Sequence, residues 1–318
     1  MRVWESRTPP NILSLWGCTV FRAPPQGFFA LTSLFMVDVV VHEDPAGFWA
    51  VAGDFFRADP VRHTVPIAVV EQCLRQPERP SVVCVTVHDD GQLVAAAVRT
   101  PPWGVNLSGV PAPWADLVAQ AYAERGDLPG AGGPREHVEA FVLSWSVRTG
   151  ASAYQAKELR LFRLDALTPP DVPGEVAVAD ESDFDLLVGW RARYAVEIGE
   201  ADLHDEEAAA KAIRHRAAAG YTDLLWRHGG EPVSWAAVNP PRAGMSRVGP
   251  VYTPVEHRAH GYASAITSAA SAWALDRGAE HVLLFTDLAN PTTNSIYPGL
   301  GYEPVQDAVD FVFSPRRP

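Results

Sequence analysis

Apolar and polar positions along this chain fall into two periods, and the order of the periods repeats. The stretch "VHDDGQLVAAAVRTPP" (87–102) reads as strand, polar turn, strand and a proline pair, and "RHGGEPVSWAAVNPPR" (227–242) reads the same way. Displaced by 140 positions, His88 meets His228, Ala96-Ala97-Val98 meets Ala236-Ala237-Val238, and Pro101 meets Pro241. The pattern predicts an internal duplication, with two similar domains in tandem. The Pro/Gly-rich "LTPPDVPGE" (167–175) separates them.

The second copy parses element by element. "EVAVA" (175–179) is a strand, and "DESDFDLLVGWRARYAVEIG" opens with the capping types Asp180, Ser182 and Asp183 before a helical period. "HDEEAAAKAIRHRAAAG" (204–220) is a second helix that stops at Gly220. A hairpin follows at 221–239, then the strand "SRVGPVYT" (246–253) and the alanine-rich helix 261–278. "HVLLFTDL" (281–288) is almost continuously apolar, as in a strand covered on both faces. The segment "NPTTNSIYPGLGY" and a last β pair, "EPVQDAVDFVF", complete the order β-α-α-β-β-β-α-β-α-β-β. Such an order predicts an α/β mixed sheet with helices on both faces.

Within the first copy, "PWADLVAQAYAERG" reads as an amphipathic helix with Trp114, Leu117, Val118 and Ala121 on one face, and "GAGGP" (130–134) reads as a loop. Residues 1–35 are apolar in two bursts separated by "RAPPQ" and lack a small-residue cleavage site. They read as an extension outside the fold, with a secretory signal as the alternative. The expected domains are 36–166 and 175–318, joined by a linker at 167–174.

Composition narrows the function classes. The 318 residues carry a formal net charge of −12, which argues against a nucleic-acid partner and is compatible with a cationic small molecule. Three cysteines, Cys18, Cys73 and Cys84, have no metal spacing and form no even set, as in a reducing cytoplasm. No apolar run is long enough to span a membrane. His257 and His260 are spaced i,i+3 without a third ligand nearby, so no metal is expected.

The junction "RVGPVYTP-EHRAHGYASAI" concentrates the chemistry. A strand there hands over to a helix through a basic turn that ends in Gly261. The first N–H groups of a helix have no partner inside it, and the helix dipole is positive at that end. A glycine lets the backbone come close to a ligand, so the junction is a candidate phosphate socket.

Strand, then Arg258-x-x-Gly261-x-Ala263, then helix resembles the acetyl-CoA signature of the GCN5-related N-acetyltransferases. "FTDLANPTTNSIYPGLGYEPV" (285–305) is similar to their last helical motif, and together the two motifs extend the resemblance over about residues 175–313. Ala259 stands where a similar bacterial branch often has glycine, and Pro298-Gly299 interrupts the end of the last motif. The resemblance implies two tandem domains of this fold, the first degenerate and the second working. It also implies acetyl-CoA as acyl donor. Backbone groups of Arg258, Ala259, His260, Gly261, Tyr262, Ala263 and Ser264 would cradle its pyrophosphate, and Val251, Tyr252 and Thr253 would pair with its pantetheine arm. Asn290 would bond that arm, and Asn294 either contacts the cofactor or caps and packs locally.

Tyr297, seven residues after Asn290 and on the same helical face, would protonate the departing thiolate, with a core aromatic as the alternative. An amine with a pKa near ~10.4 must lose a proton before attack. No carboxylate lies on the strand before the loop. Glu200 and His204, in the acidic junction of the first two helices, are the candidate bases, alongside a water relay. The implied reaction is N-acetylation of a primary amine on a small molecule or peptide, in the cytoplasm. The alternative is a CoA-binding regulatory or scaffold module without turnover.

Carrying the 140-position displacement onward sets Val118 opposite Arg258 and Ala121 opposite Gly261, so the first copy is expected to lack the socket.

Overall fold

The computed structural model describes residues 37–75, 82–200 and 205–314. The expectations for residues 1–35, Cys18 and His204 fall outside them. In the first half the elements are β1 (Val37–His42), α1 (Pro45–Arg57), α2 (Thr64–Arg75), β2 (Cys84–Asp89), β3 (Gln92–Arg99), β4 (Val105–Gly109), α3 (Ala115–Ala123), β5 (Gly130–Pro134), α4 (Arg135–Thr149) and β6 (Ala153–Leu164). The second half repeats that order as β7 (Glu175–Val178), α5 (Phe184–Glu197), α6 (Glu206–Ala218), β8 (Thr222–His228), β9 (Glu231–Val238), β10 (Met245–Tyr252), α7 (Tyr262–Asp276), β11 (His281–Asp287), α8 (Pro291–Gly299) and β12 (Tyr302–Phe313).

Local chemistry sets the boundaries. The Asp44 and Asp205 side chains accept the N–H groups of Gly47 and Ala208, capping α1 and α6. Asp180 and Asp183 form a reciprocal capping box just ahead of α5. The β2/β3 and β8/β9 hairpins even share an irregularity, with register shifts at Val87/His88 and at Trp226/Arg227. The two shifts stand 139 positions apart, so the structure moves the hairpin register one residue from the expected 140 and sets His88 opposite Arg227, while the shared bulge itself supports the duplication.

All described strands form one twelve-stranded mixed sheet in the order β1-β2-β3-β4-β5-β12-β6-β11-β10-β9-β8-β7. That order is symmetric about its centre, and it contains an exchange. β6, the last strand of the first half, pairs with β11 of the second, and β12, the last strand of the second half, pairs with β5 of the first. The two exchanged strands lie antiparallel to each other from Tyr302↔Leu164 to Phe313↔Ala153. The expected last β pair is thus one long strand whose neighbours both come from the first half. Its polar middle, Gln306-Asp307, looks like a turn in sequence, but Asp307 is a cross-strand partner, taking two hydrogen bonds from the Arg160 guanidinium at 2.6 and 2.9 Å.

"GAGGP" is a strand and not a loop. β5 is pressed so closely against β12 that a Cβ at Gly132 would lie 2.3 Å from the Asp310 carboxylate. Pro298 lies within the last turn of α8, which ends at Gly299.

Helices cover both faces. α3 and α4 pack Tyr122, Phe141 and Trp145 on one face of the first half, and α7 and α8 pack Ile266, Ala270 and Tyr297 on the corresponding face of the second. On the opposite face, α5 and α6 enclose Trp190, Ile213 and Trp235. There α1 and α2 bury Phe48, Phe56 and Ile67 in a cluster that also takes Leu161 of β6 and Met245 and Leu283 of the second half. Among the described residues, no helix is long and apolar enough to cross a membrane.

Candidate functional site

The strand-to-helix junction of the second half is built as a socket. β10 runs parallel to β11 from Met245↔His281 to Arg247↔Leu283, after which no pairing continues. β10 then carries a register shift against β9 between Val248 and Val251. The two strands part as they approach Tyr252 and Asp287, and each leaves backbone groups toward the gap. Beyond β10, Pro254 opens a short 3-10 turn (Val255–His257), and Arg258–Gly261 link that turn to α7.

This link is left-handed at two positions. Gly261 has φ +79° and Ala259 φ +64°, so Gly261 adopts a conformation that suits glycine and Ala259 one that costs an L side chain ~1–2 kcal/mol. A Cβ at Gly261 would also lie 2.9 Å from Val172 Cγ2 of the linker, a contact the sequence does not foresee. Gly261 gives α7 no side-chain cap, and no N–H from Ala259 to Ser264 bonds another described residue. A run of unpartnered N–H groups at a helix start fits a phosphate, so the residues present suit the CoA pyrophosphate.

Arg258 is exposed, yet its side chain is engaged by the protein. Its guanidinium donates to the Thr253 carbonyl at 2.9 Å and to both carboxylate oxygens of Glu197 at 2.7 and 2.8 Å. It thereby ties the loop to β10 and α5. His260 donates or accepts at Nδ1 with only one partner, the Arg258 carbonyl at 2.7 Å, which makes that nitrogen the donor. Its ring stacks on Tyr262 with centroids 5.5 Å apart.

At the start of α8, the Asn290 side chain accepts the Thr293 N–H at 3.3 Å, leaving its amide N–H groups for a ligand. Asn294 donates to the carbonyls of Asp287, Leu288 and Asn290, so its amide braces the β11–α8 turn, while its Oδ1 is buried without a partner among the described residues. Tyr297 is 6 % exposed, with its ring against Phe162 and Tyr302. Burial pushes its phenol well above the ordinary range, with smaller contributions from Tyr194 and Tyr302. Tyr194 belongs to α5 on the other face, so this influence crosses the sheet where β10 and β11 part.

Of the candidate bases, Glu200 is held at 2.6 Å by Arg191, a guanidinium only 9 % exposed. Another carboxylate went unnoticed in the sequence. Leu283 and Phe285 of β11 point to the α1/α2 cluster, while Leu284 packs with α8 and the Thr286 hydroxyl bonds that of Thr293. Strand alternation therefore turns Asp287, at the open end of β11, toward the face that bears α5 and α6. One of its carboxylate oxygens accepts the Ala289 N–H at 2.8 Å, and the residue is exposed. Its position at the end of an apolar strand, directly before the Asn290 cap, was the available signal.

Other chemistry is absent from the described residues. No group of three or more His, Cys, Asp or Glu is placed to hold a metal. Cys84 is buried, and burial pushes its thiol up to about 12, which leaves it unreactive. A cavity of about 670 Å³ between β7, α5 and α6 is lined by none of the socket residues.

Comparison with known proteins agrees with this geometry. Residues 185–302 match the model of the acetyltransferase (GNAT) family. The fold is similar to that of a tandem GNAT protein from the clavulanic acid biosynthesis pathway, 14% identical over 89% of this chain and 99% of that one, with a TM-score of 0.54. It is also similar to a GCN5-related N-acetyltransferase from Sphaerobacter thermophilus (15% identity, 88% and 96% covered, TM-score 0.56). A third likeness is to a GNAT-family acetyltransferase from Colwellia psychrerythraea (12% identity, 87% and 100% covered, TM-score 0.55). At these identities the likeness is one of fold. Among curated proteins, none matches the chain.

Proposed function

We propose, from the premise that residues 185–302 belong to the GNAT acetyltransferase family, that the second half (175–318) transfers an acetyl group from acetyl-CoA to a primary amine by direct attack. The first half (36–166) is then a degenerate copy without a cofactor socket. The observation that carries this reading is the left-handed link Arg258–Gly261, with its unpartnered N–H groups beside two diverging strands.

Bound acetyl-CoA supplies the thioester. Backbone N–H groups from Ala259 to Ser264 hold its phosphates, Val251 to Thr253 offer a strand edge to its amide-bearing arm, and Asn290 offers a side-chain amide. The acceptor's ammonium proton passes to a base, for which Asp287 joins Glu200, His204 and a water relay as a candidate. The amine nitrogen bonds to the acetyl carbon, the carbon–sulfur bond breaks, the thiolate takes the Tyr297 hydroxyl proton, and the proton shed by the acylated nitrogen returns to the phenolate. Burial raises the phenol, so Tyr297 is protonated before attack but is a weaker acid than an ordinary phenol, and it donates only as the thiolate's charge develops beside it. Rate comes chiefly from positioning and from polarised backbone groups.

One observation favours the alternative of a silent CoA-binding module: Glu200 is already engaged by a buried arginine. Thiol release with a panel of primary amines separates the two readings. Acyl transfer requires amine-dependent CoA-SH formation, whereas binding of acetyl-CoA without thiol release from any amine would leave the silent module.

A further inference from the structure

The first half holds a cavity of about 370 Å³ at the junction of α1 and α2 and the ends of β4 and β5. Its volume lies in the range of small-molecule sites. Two imidazoles line it. His137 Nδ1 lies 3.0 Å from the Leu107 carbonyl, which can only accept, so Nδ1 is the donor and Nε2 makes no hydrogen bond among the described residues. His63 Nδ1 lies 3.1 Å from Ser108 Oγ, a hydroxyl that can accept as well as donate, so Nε2 is free to accept in the tautomer whose Nδ1 donates to that hydroxyl. Burial lowers the His63 pKa; Asp59 opposes this, and His137 and Arg62 add to it, so the ring is neutral at pH 7. Phe55 stacks on His63 with centroids 5.8 Å apart and forms an apolar wall.

Most fixed charges around the cavity are already met. Arg62 pairs with Asp59 at 3.3 Å, Arg135 with Glu158 at 2.7 Å, and Asp307 with Arg160 at 2.6 Å. Glu136 has no ion pair among the described residues. The start of α4 contributes roughly half a positive charge there, less than the carboxylate's full negative one. The Gln306 amide donates to the Arg62 carbonyl at 3.4 Å, which leaves its oxygen as another acceptor. What remains for a ligand is a set of hydrogen-bond acceptors, one negative charge and an aromatic wall.

We propose that this cavity is a binding site for a small amine, whose ammonium group donates to the imidazoles of His63 and His137 and meets the charge of Glu136. No cofactor loop adjoins it, so it binds without turning over. The proposal does not depend on acyl transfer by the second half, although Gln306 and Asp307 of β12 help line the cavity.

The test is a titration of the ¹⁵N-labelled full chain with ethanolamine, read on the imidazole nitrogens. The His63 and His137 Nε2 resonances should move together and saturate, and the Gly261→Val protein should show the same movement. Glu136→Gln, an exposed change, should weaken the response severalfold. His137→Phe should weaken it about tenfold, the scale of one charge-assisted hydrogen bond. If His137→Phe melts well below the parent, Glu136→Gln decides. Absence of saturable movement overturns the proposal, as does an undiminished response in Glu136→Gln. So does movement with inorganic phosphate but not with ethanolamine, which would make the cavity an anion site.

Discussion

The two halves part company within a few residues. In the first, Pro111 opens a short 3-10 turn (Ala112–Trp114), and α3 starts at the next residue. In the second, Pro254 opens an equivalent turn, and four further residues, Arg258–Gly261, intervene before α7. The first half therefore lacks the socket by omission. The sequence register set Val118 opposite Arg258, but the structure sets the start of α3 opposite the start of α7, so no first-half residue stands opposite the loop. The neighbouring strand edge differs as well. The third residue of α4, His137, reaches back to the Leu107 carbonyl on β4, whereas the third residue of α8, Thr293, turns to Thr286 on β11. One gap is closed by a side chain and the other is left open. The two halves thus differ at this junction by four residues and by the partner of one side chain, within the same order of strands.

Severing the halves tests their dependence most harshly. Residues 175–318 expressed alone lack β6, so β11 loses an antiparallel neighbour and β12 loses both neighbours. The fragment should be insoluble or fail to melt cooperatively, while the full chain binds one acetyl-CoA. A soluble, cooperative fragment, or two cofactor sites of similar affinity in calorimetry, would break the contrast drawn between the halves.

Gly261→Val comes next. The left-handed φ and the Val172 contact both oppose a β-branched side chain, and acetyl-CoA affinity should fall by ~100-fold or more with the fold retained. Calorimetry alongside a melting curve checks this, and unchanged affinity in a folded protein removes the loop from the site.

Tyr297→Phe keeps the ring and removes the donor, so turnover should drop ~10²-fold with acetyl-CoA affinity nearly constant. Asp287→Asn should lower turnover on a similar scale if that carboxylate takes the acceptor's proton. Steady-state kinetics with both substrates varied would show a loss of affinity instead if either residue only binds.

Arg258→Ala should weaken acetyl-CoA binding several-fold at most, because its ion pair with Glu197 is half exposed and such pairs are worth ~0–1 kcal/mol. A loss as large as that of Gly261→Val would mean that the guanidinium itself meets the ligand.

The smallest effect belongs to Ala259→Gly. Relief of the left-handed conformation should raise stability by under ~1 kcal/mol, since the added freedom of the unfolded chain offsets part of the gain. Urea unfolding measures it, and a destabilised glycine variant would contradict the strain.

Much of this was legible in the amino acids. The hairpin repeat, the linker and the order of elements from β7 to α8 follow from periodicity and caps, because those signals are local. The exchange of β6 and β12 was not, since strand partners are chosen by contacts distant in sequence and a strand's own residues do not name them. Glycine in "GAGGP" pointed to a loop, whereas here it admits close backbone approach. For the site, Gly261 and Asn290 were visible as punctuation at helix starts. Asp287 was hidden because its face depends on the whole strand above it, and the ties of Arg258 and Glu200 depend on α5.

The strand exchange also imposes an order in time. β5 is complete at Pro134, yet its neighbour Ala308 emerges about 170 residues later. At a synthesis rate of ~5–20 residues per second, the first half waits roughly 10–30 s with an unpaired sheet edge before its last strand exists. Neither half can be finished on the ribosome ahead of the other. Over that interval one edge of β5 has no partner strand, the kind of edge that invites pairing with another chain.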